Sequence, residues 1–252
     1  HCNEGHAAFL GLERIRNLVL RRRLTFAEAL EVVRSSSLFT THTPVPAGHD
    51  AFPEAMVRQY LSHYPGELGI DWAQFIGLGR VDPEDPNEKF SMSVLACNLS
   101  QEVNGVSWLH GEVSKEILGN LWPGYFKNEL HIGYVTNGVH FPTWTAMRLR
   151  RLYARYFPEG FEGHEYRISE WKKVYDIPDE DLWRERLVLK EKLVRMIRRR
   201  YCDPGHVRMD SPHQVMQVLE GIRPDVLKIG FARRFATYKR ALLLFTDLDR
   251  LA

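Results

Sequence analysis

Arg233, Arg234, Lys239 and Arg240 lie in the segment PDVLKIGFARRFATYKRALLLFTDLDR, between an apolar run and an apolar helical repeat. Val226, Leu227, Ile229, Phe231 and Ala232 predict a buried strand, broken only by Lys228 and Gly230. Ala241, Leu242, Leu244, Phe245, Leu248 and Leu251 recur every three or four residues and predict a helix from about Tyr238. The four cations therefore sit where a strand ends and a helix begins. That end of a helix carries partial positive charge, so Lys and Arg are unfavourable there unless an anion lies between them. Free backbone N–H groups and guanidinium forks converge well on a phosphate-sized target. A solvated basic turn is the alternative, but the crevice of an open α/β sheet is where ligands bind.

Two further segments carry polar residues at strand ends. His42 stands in THTPVP, just past a short strand over Ser36–Thr41, with Pro44 and Pro46 stiffening the loop. A lone histidine there more often serves a structural hydrogen bond than chemistry. Asn137 stands in TNGVHFPTW after a strand over His131–Val135, and Asn-Gly by itself explains a tight turn. The segment VNGVSWLHGEVSKE, Val103 to Glu116, places Asn104, Gly105 and His110 at a third strand-to-helix turn, where a structural role is expected. His42 with His49 and Asp50, or His1 with His6, could be ligands, yet neither set has the spacing of a zinc motif and no metal is expected. No G-x-S-x-G occurs, so a nucleophile elbow is absent.

The elements that must position these residues alternate between strand and helix, which predicts an α/β fold. Helices are expected over Phe9–Val19, from Thr25 with Glu28 completing a capping box, over Ala51–Tyr64, after Asp71, over Met92–Leu99 and over Trp108–Leu118. A helix follows Pro142, and Pro178–Tyr201 forms a long one with Trp183, Leu187, Val194 and Ile197 inward. Phe157–Arg167 is expected to be a link. The chain has 252 residues, 44% hydrophobic and 26% charged, with a net charge of +2, too small to argue for nucleic acid. The basic runs at 21–23 and 198–200 adjoin amphipathic helices and read as solvated faces. Cys2, Cys97 and Cys202 have no paired spacing, which fits a reducing, cytoplasmic setting. No membrane span or signal peptide is apparent. The opening at His1 and the end at Ala252, one strand and one helix into a new sheet, are read as an internal fragment. Residues 1–138 would be the end of one α/β domain and residues 139–252 the start of another.

Taken in order, these segments resemble the glycogen, starch and maltodextrin phosphorylases, with the short bacterial and archaeal α-glucan phosphorylases most similar. RRFATYKRALL is similar to the family's phosphate-binding segment. The resemblance implies that Arg234 and Lys239 bind the substrate phosphate as the catalytic cations, that Tyr238 touches the sugar, and that Arg233 lies near the cofactor phosphate. Ala236 and Thr237 depart from a common His-Glu there. His42 matches a sugar-contacting histidine, with Thr41 in place of the family's Asn. Asn137 matches a sugar-bonding asparagine, and Trp144, seven residues on, a tryptophan that lies against pyridoxal 5'-phosphate. Asn3, Glu4 and His6 resemble an Asn-Asp-Thr-His segment with a supporting role.

What the resemblance implies is a two-domain, GT-B-like glycosyltransferase architecture with Rossmann-like parallel sheets. The activity implied for the full-length protein is reversible phosphorolysis of α-1,4-glucan, glycogen or maltodextrin, by inorganic phosphate to glucose 1-phosphate. The Schiff-base lysine is expected in a later segment, so the chain alone is expected to be inactive. Assembly into a homo-oligomer is left open. The alternative is a nucleotide-sugar-dependent retaining glycosyltransferase resembling glycogen synthase. A noncatalytic carbohydrate-binding fragment, with Trp108, Trp122, Tyr125 and Phe126 as a platform, is a third reading.

Overall fold

A computed structural model describes residues 1–202, 211–234 and 239–251. The chain separates into two compact units, His1–Gly138 and Val139–Ala252.

The first unit is built on a four-stranded sheet of β1 (Cys2–Asn3), β2 (Leu38–Thr40), β5 (Glu102–Gly105) and β6 (Ile132–Tyr134), adjacent in that order. Every pairing is parallel. The helices are α1 (Phe9–Arg22), α2 (Phe26–Ser35), α3 (Glu54–Leu61), α4 (Tyr64–Leu68), α5 (Trp72–Gly77), α6 (Met92–Asn98) and α7 (Trp108–Leu118). This is the α/β fold with a parallel sheet that the alternation of elements implied. A separate antiparallel pair, β3 (Ala51–Phe52) with β4 (Phe90–Ser91), joins segments far apart in sequence and had no local signal.

Register explains how the sheet handles polarity. Cys2, Phe39, Val103 and Ile132 align in one row across the strands, and Phe39, Val103 and Ile132 are buried. The next row toward the carboxyl ends is Asn3, Thr40, Asn104 and Gly133. Successive residues of a strand face opposite sides, so this polar row faces the other way. It is internally satisfied: His1 Nε2–H donates to Thr40 Oγ1 at 2.8 Å, and the Thr40 hydroxyl donates to Asn104 Oδ1 at 2.8 Å. Buried polar groups need such partners.

Local chemistry sets the helix ends. Thr25 and Glu28 form the expected capping box, with the Thr25 N–H donating to Glu28 at 2.8 Å and the Glu28 N–H to Thr25 Oγ1 at 3.3 Å. Ser107 caps α7 by accepting from the His110 N–H at 3.2 Å. Helix α7 lies so close to β5 and β6 that glycine is required at two contacts. A Cβ on Gly105 would come within 2.7 Å of the Gly111 nitrogen, and one on Gly111 within 3.0 Å of the Gly133 carbonyl oxygen.

The second unit contains α8 (Phe141–Trp144), α9 (Met147–Tyr156), α10 (Asp179–Cys202), α11 (Pro212–Gly221) and α12 (Leu248–Leu251). Its core is aromatic: Phe161 meets Phe157 with ring centroids 4.3 Å apart and Trp171 edge-on at 5.0 Å. The stretch 157–167 is irregular, but Phe157 and Phe161 are buried, so it is packed structure and not a free link. Val194 of α10 is buried as expected. Trp183 instead is half exposed, with the Lys190 ammonium over its ring at 5.2 Å.

The tail departs most from expectation. Residues 227–234 form no strand, and Leu227, Ile229 and Phe231 are exposed. A parallel strand needs a neighbour for its backbone groups, and no described residue pairs with this one. In place of a helix from about Tyr238, a 3-10 turn spans Leu243–Phe245 and α12 follows it. Tyr238 itself, with Ala236 and Thr237, lies outside the described residues. Among the described residues no helix is long and apolar enough to cross a membrane.

Candidate functional site

In the first unit the sequence-predicted polar residues gather along the carboxyl edge of the sheet. Glu4 follows β1, His42 follows β2, His110 stands in the first turn of α7 just after β5, and Asn137 follows β6. His42 and Asn137 thus share one edge, with β5 between their strands. Backbone bonds extend this order past the strand ends. The Thr41 N–H donates to the Asn104 carbonyl at 3.0 Å, the Val135 N–H to Gly105 at 3.0 Å and the Asn137 N–H to Val106 at 3.3 Å.

Glu4 organises the loop that carries His42. Its N–H donates to the Thr40 carbonyl at 2.8 Å. Its carboxylate accepts from the Gly5 N–H at 3.1 Å, the His42 N–H at 2.8 Å and the Thr43 hydroxyl at 3.0 Å. Burial pushes the Glu4 carboxyl up, but the His42, Gly5 and Thr43 bonds and the neighbouring His49 together hold it below its ordinary value. The His42 ring is fixed separately, with Nε2 2.7 Å from Asn3 Oδ1. Sequence reasoning left Asn3 and Glu4 in a supporting role, because nothing local connects them with residues 39 positions away.

Behind this edge lie two histidines whose outer nitrogens have no partner among the described residues. His110 is 8% exposed; Nδ1 accepts from the Val106 N–H at 3.1 Å, so Nε2 carries the hydrogen and is buried without an acceptor. His49 Nδ1 pairs with Ser93 Oγ at 2.6 Å, while its Nε2 is likewise buried and unpartnered. Burial pushes the His49 ring's pKa down, the Glu4 carboxylate opposes this and His110 adds to it. The expected structural role of Asn104, Gly105 and His110 accords with these bonds. No group of three or more His, Cys, Asp or Glu among the described residues is placed to hold a metal.

In the second unit Trp144 ends α8 with its side chain 77% exposed. Arg233 and Arg234 are exposed neighbours, and neither makes an ion pair among the described residues. Lys239 borders an open hollow of about 750 Å³ with Ile229, Phe231, Leu244 and Arg250. Arg240 has a φ of 47°, uncommon for a residue with a side chain.

No protein-family model matches the chain. Curated relatives do. A glycogen phosphorylase of Mycobacterium tuberculosis (strain ATCC 25618 / H37Rv) is 40% identical over 264 aligned residues, covering 100% of this chain and 29% of the relative. A maltodextrin phosphorylase of Thermococcus litoralis is 40% identical over 252 residues, 100% of this chain and 29% of its own length. A glycogen phosphorylase of Aquifex aeolicus is 41% identical over 253 residues, 100% of this chain and 36% of its own length. The chain thus spans about a third of the length of the relatives it matches. With whole-chain identity of about 40% to them, it belongs to the family of glycogen and maltodextrin phosphorylases.

Proposed function

We propose that the protein carrying this chain is an α-glucan phosphorylase, transferring a terminal glucosyl unit of glycogen or maltodextrin reversibly to phosphate to give glucose 1-phosphate. The observation that carries this reading is similarity to glycogen and maltodextrin phosphorylases along 100% of the chain. The placement of His42 and Asn137 on one carboxyl edge of a parallel sheet supports it, since ligands bind there in α/β folds. In this reading the two residues hold the sugar, joined by Tyr238, and the chain's two units belong to two α/β domains of a GT-B-like protein. Arg234 and Lys239 hold the phosphate dianion, which stabilises an oxocarbenium-like transition state as the glycosidic bond breaks. Their fixed charges act where charge develops, which is how such groups lower a barrier.

The cofactor proposed is pyridoxal 5'-phosphate. The exposed Trp144 indole offers a face for a flat ring, and the Arg233 guanidinium, without an ion pair among the described residues, suits a phosphate monoester. When bound, the cofactor supplies a second phosphate for proton transfer. The compartment proposed is the cytoplasm, in keeping with the free thiols of Cys2 and Cys97.

The test is incubation of the complete protein with maltoheptaose and inorganic phosphate, followed by assay of glucose 1-phosphate. Release of that product, with no chain extension from a nucleotide-sugar donor in the absence of phosphate, is expected. Extension from the nucleotide sugar without phosphorolysis would replace this reading with a glycosyltransferase of the other kind.

A further inference from the structure

Glu4 is the most strained residue of the carboxyl edge. Its backbone sits at φ 78° and ψ 156°, a region that essentially only glycine adopts. Such strain persists where surrounding contacts over-determine it. Here the contacts are the ladder bond to Thr40 and the three donors on the carboxylate, two of which belong to His42 and Thr43. These contacts hold Glu4 in its strained conformation and fix the backbone from which the His42 ring projects.

The ring is fixed by the preceding residue. A neutral imidazole has one N–H and one bare nitrogen, and whatever bonds one nitrogen decides the character of the other. Asn3 Oδ1, 2.7 Å from Nε2, can only accept, so the hydrogen is on Nε2. Nδ1 is then a bare acceptor, and no described residue occupies it. A bare nitrogen receives a hydroxyl hydrogen well and an anion poorly. The Glu4 carboxylate bonded to the same residue disfavours an anion further.

We propose that Asn3 is a positioning residue that sets the His42 tautomer, so that His42 selects a hydroxyl group, as on a sugar, and not the phosphate. Glu4 anchors the backbone beneath it. The inference rests on the reading of His42 as a sugar contact and assigns the chemistry by which that contact discriminates.

The first test is nitrogen-15 spectroscopy of the complete protein labelled at histidine, at a pH high enough to keep imidazoles neutral. In the parent, His42 Nδ1 shows the shift of an unprotonated nitrogen and Nε2 that of a protonated one, and added inorganic phosphate moves neither. In Asn3→Leu the two shifts draw together as the tautomers interconvert. In Asn3→Asp, whose oxygen still accepts, they stay apart. Protonated Nδ1 in the parent, a phosphate-dependent shift, or unchanged spectra in Asn3→Leu would overturn the proposal.

The second test uses the complete protein. Asn3→Leu raises the KM for maltoheptaose roughly 3- to 10-fold, the range one neutral hydrogen bond covers, and Asn3→Asp restores most of it. An unchanged KM in Asn3→Leu also overturns the proposal. A reversed tautomer with phosphorolysis intact sinks this inference and spares the functional reading. Absence of any phosphorolysis by the parent sinks the functional reading and the hydroxyl selection that rests on it, while the tautomer set by Asn3 still stands or falls on the first test.

Discussion

Arg234 and Lys239 mark what single residues reveal. Their types and spacing are visible in the chain, where cations at the amino end of an expected helix imply an anion. The described residues form no strand over 227–234 and a 3-10 turn at Leu243–Phe245 stands in place of that helix, so the expectation rests on the clustered charges and the resemblance. A charge-assisted hydrogen bond is worth about 1.5–3 kcal/mol, so Arg234→Gln in the complete protein is expected to slow glucose 1-phosphate formation by about one to two decades. Steady-state turnover at saturating glucan checks this, and a loss of less than about twofold would remove Arg234 from the phosphate site. The place of Asn137 just past a strand was legible from the strand expected over His131–Val135, although no turn forms at Asn137-Gly138. The clamp on His42 was not. Asn3 and Glu4 reach it across 39 or 38 positions of sequence, through side-chain bonds that no periodicity encodes.

At the scale of elements, segments with local capping chemistry formed where expected, whereas the apolar run at 226–232 formed no strand and the helix expected over Ala51–Tyr64 gave way to β3, α3 and the start of α4. Capping chemistry is local, which is why Thr25–Glu28 and the start of α7 at Trp108 follow from residues three positions apart. Strand pairing is not local. The β3–β4 pair joins Ala51 to Ser91, and the apolar run at 226–232 has no described partner strand. The closeness of α7 to β5 also had to be seen. A Cβ at position 105 would lie 2.7 Å from a backbone nitrogen and 2.9 Å from the His110 carbonyl carbon, neither able to move alone. Gly105→Ala is therefore expected to destabilise the first unit by about 1–3 kcal/mol. Urea unfolding followed by circular dichroism reads this as a lower midpoint, and an unchanged midpoint would show that α7 can shift outward freely.

Across the first unit as a whole, one carboxylate gathers donors from several elements. Glu54 of α3 accepts from Arg58 at 2.8 Å, from the Trp72 indole N–H at 2.7 Å and from Arg80 at 2.8 Å. Arg80 is only 5% exposed, and the Arg58 guanidinium lies 4.1 Å from the centroid of the Trp72 ring. These bonds, Arg58 first, lower the Glu54 carboxyl from 4.5 to about 2. A carboxyl with a depressed folded value stabilises above its unfolded value and loses that contribution as pH falls through the folded one. The contribution is therefore full above about pH 5 and fades toward pH 2. Glu54 is about a third exposed, so screening reduces the effect to about 1–2 kcal/mol. Glu54→Gln should lower unfolding free energy by that amount near neutral pH and by much less near pH 2, as denaturant titrations at both pH values would measure. An equal loss at both would assign the effect to packing. What the amino-acid order determined alone was the set of short-range facts: helix periods, caps, turns, the alternation that makes an α/β fold, and the motifs that resemble a phosphorylase. Tertiary structure alone decided which polar row lines the carboxyl edge, which imidazole nitrogen is left bare and which charges share a carboxylate. Those depend on strand register and on contacts between distant residues, whose free energy exists only once the chain has closed on itself.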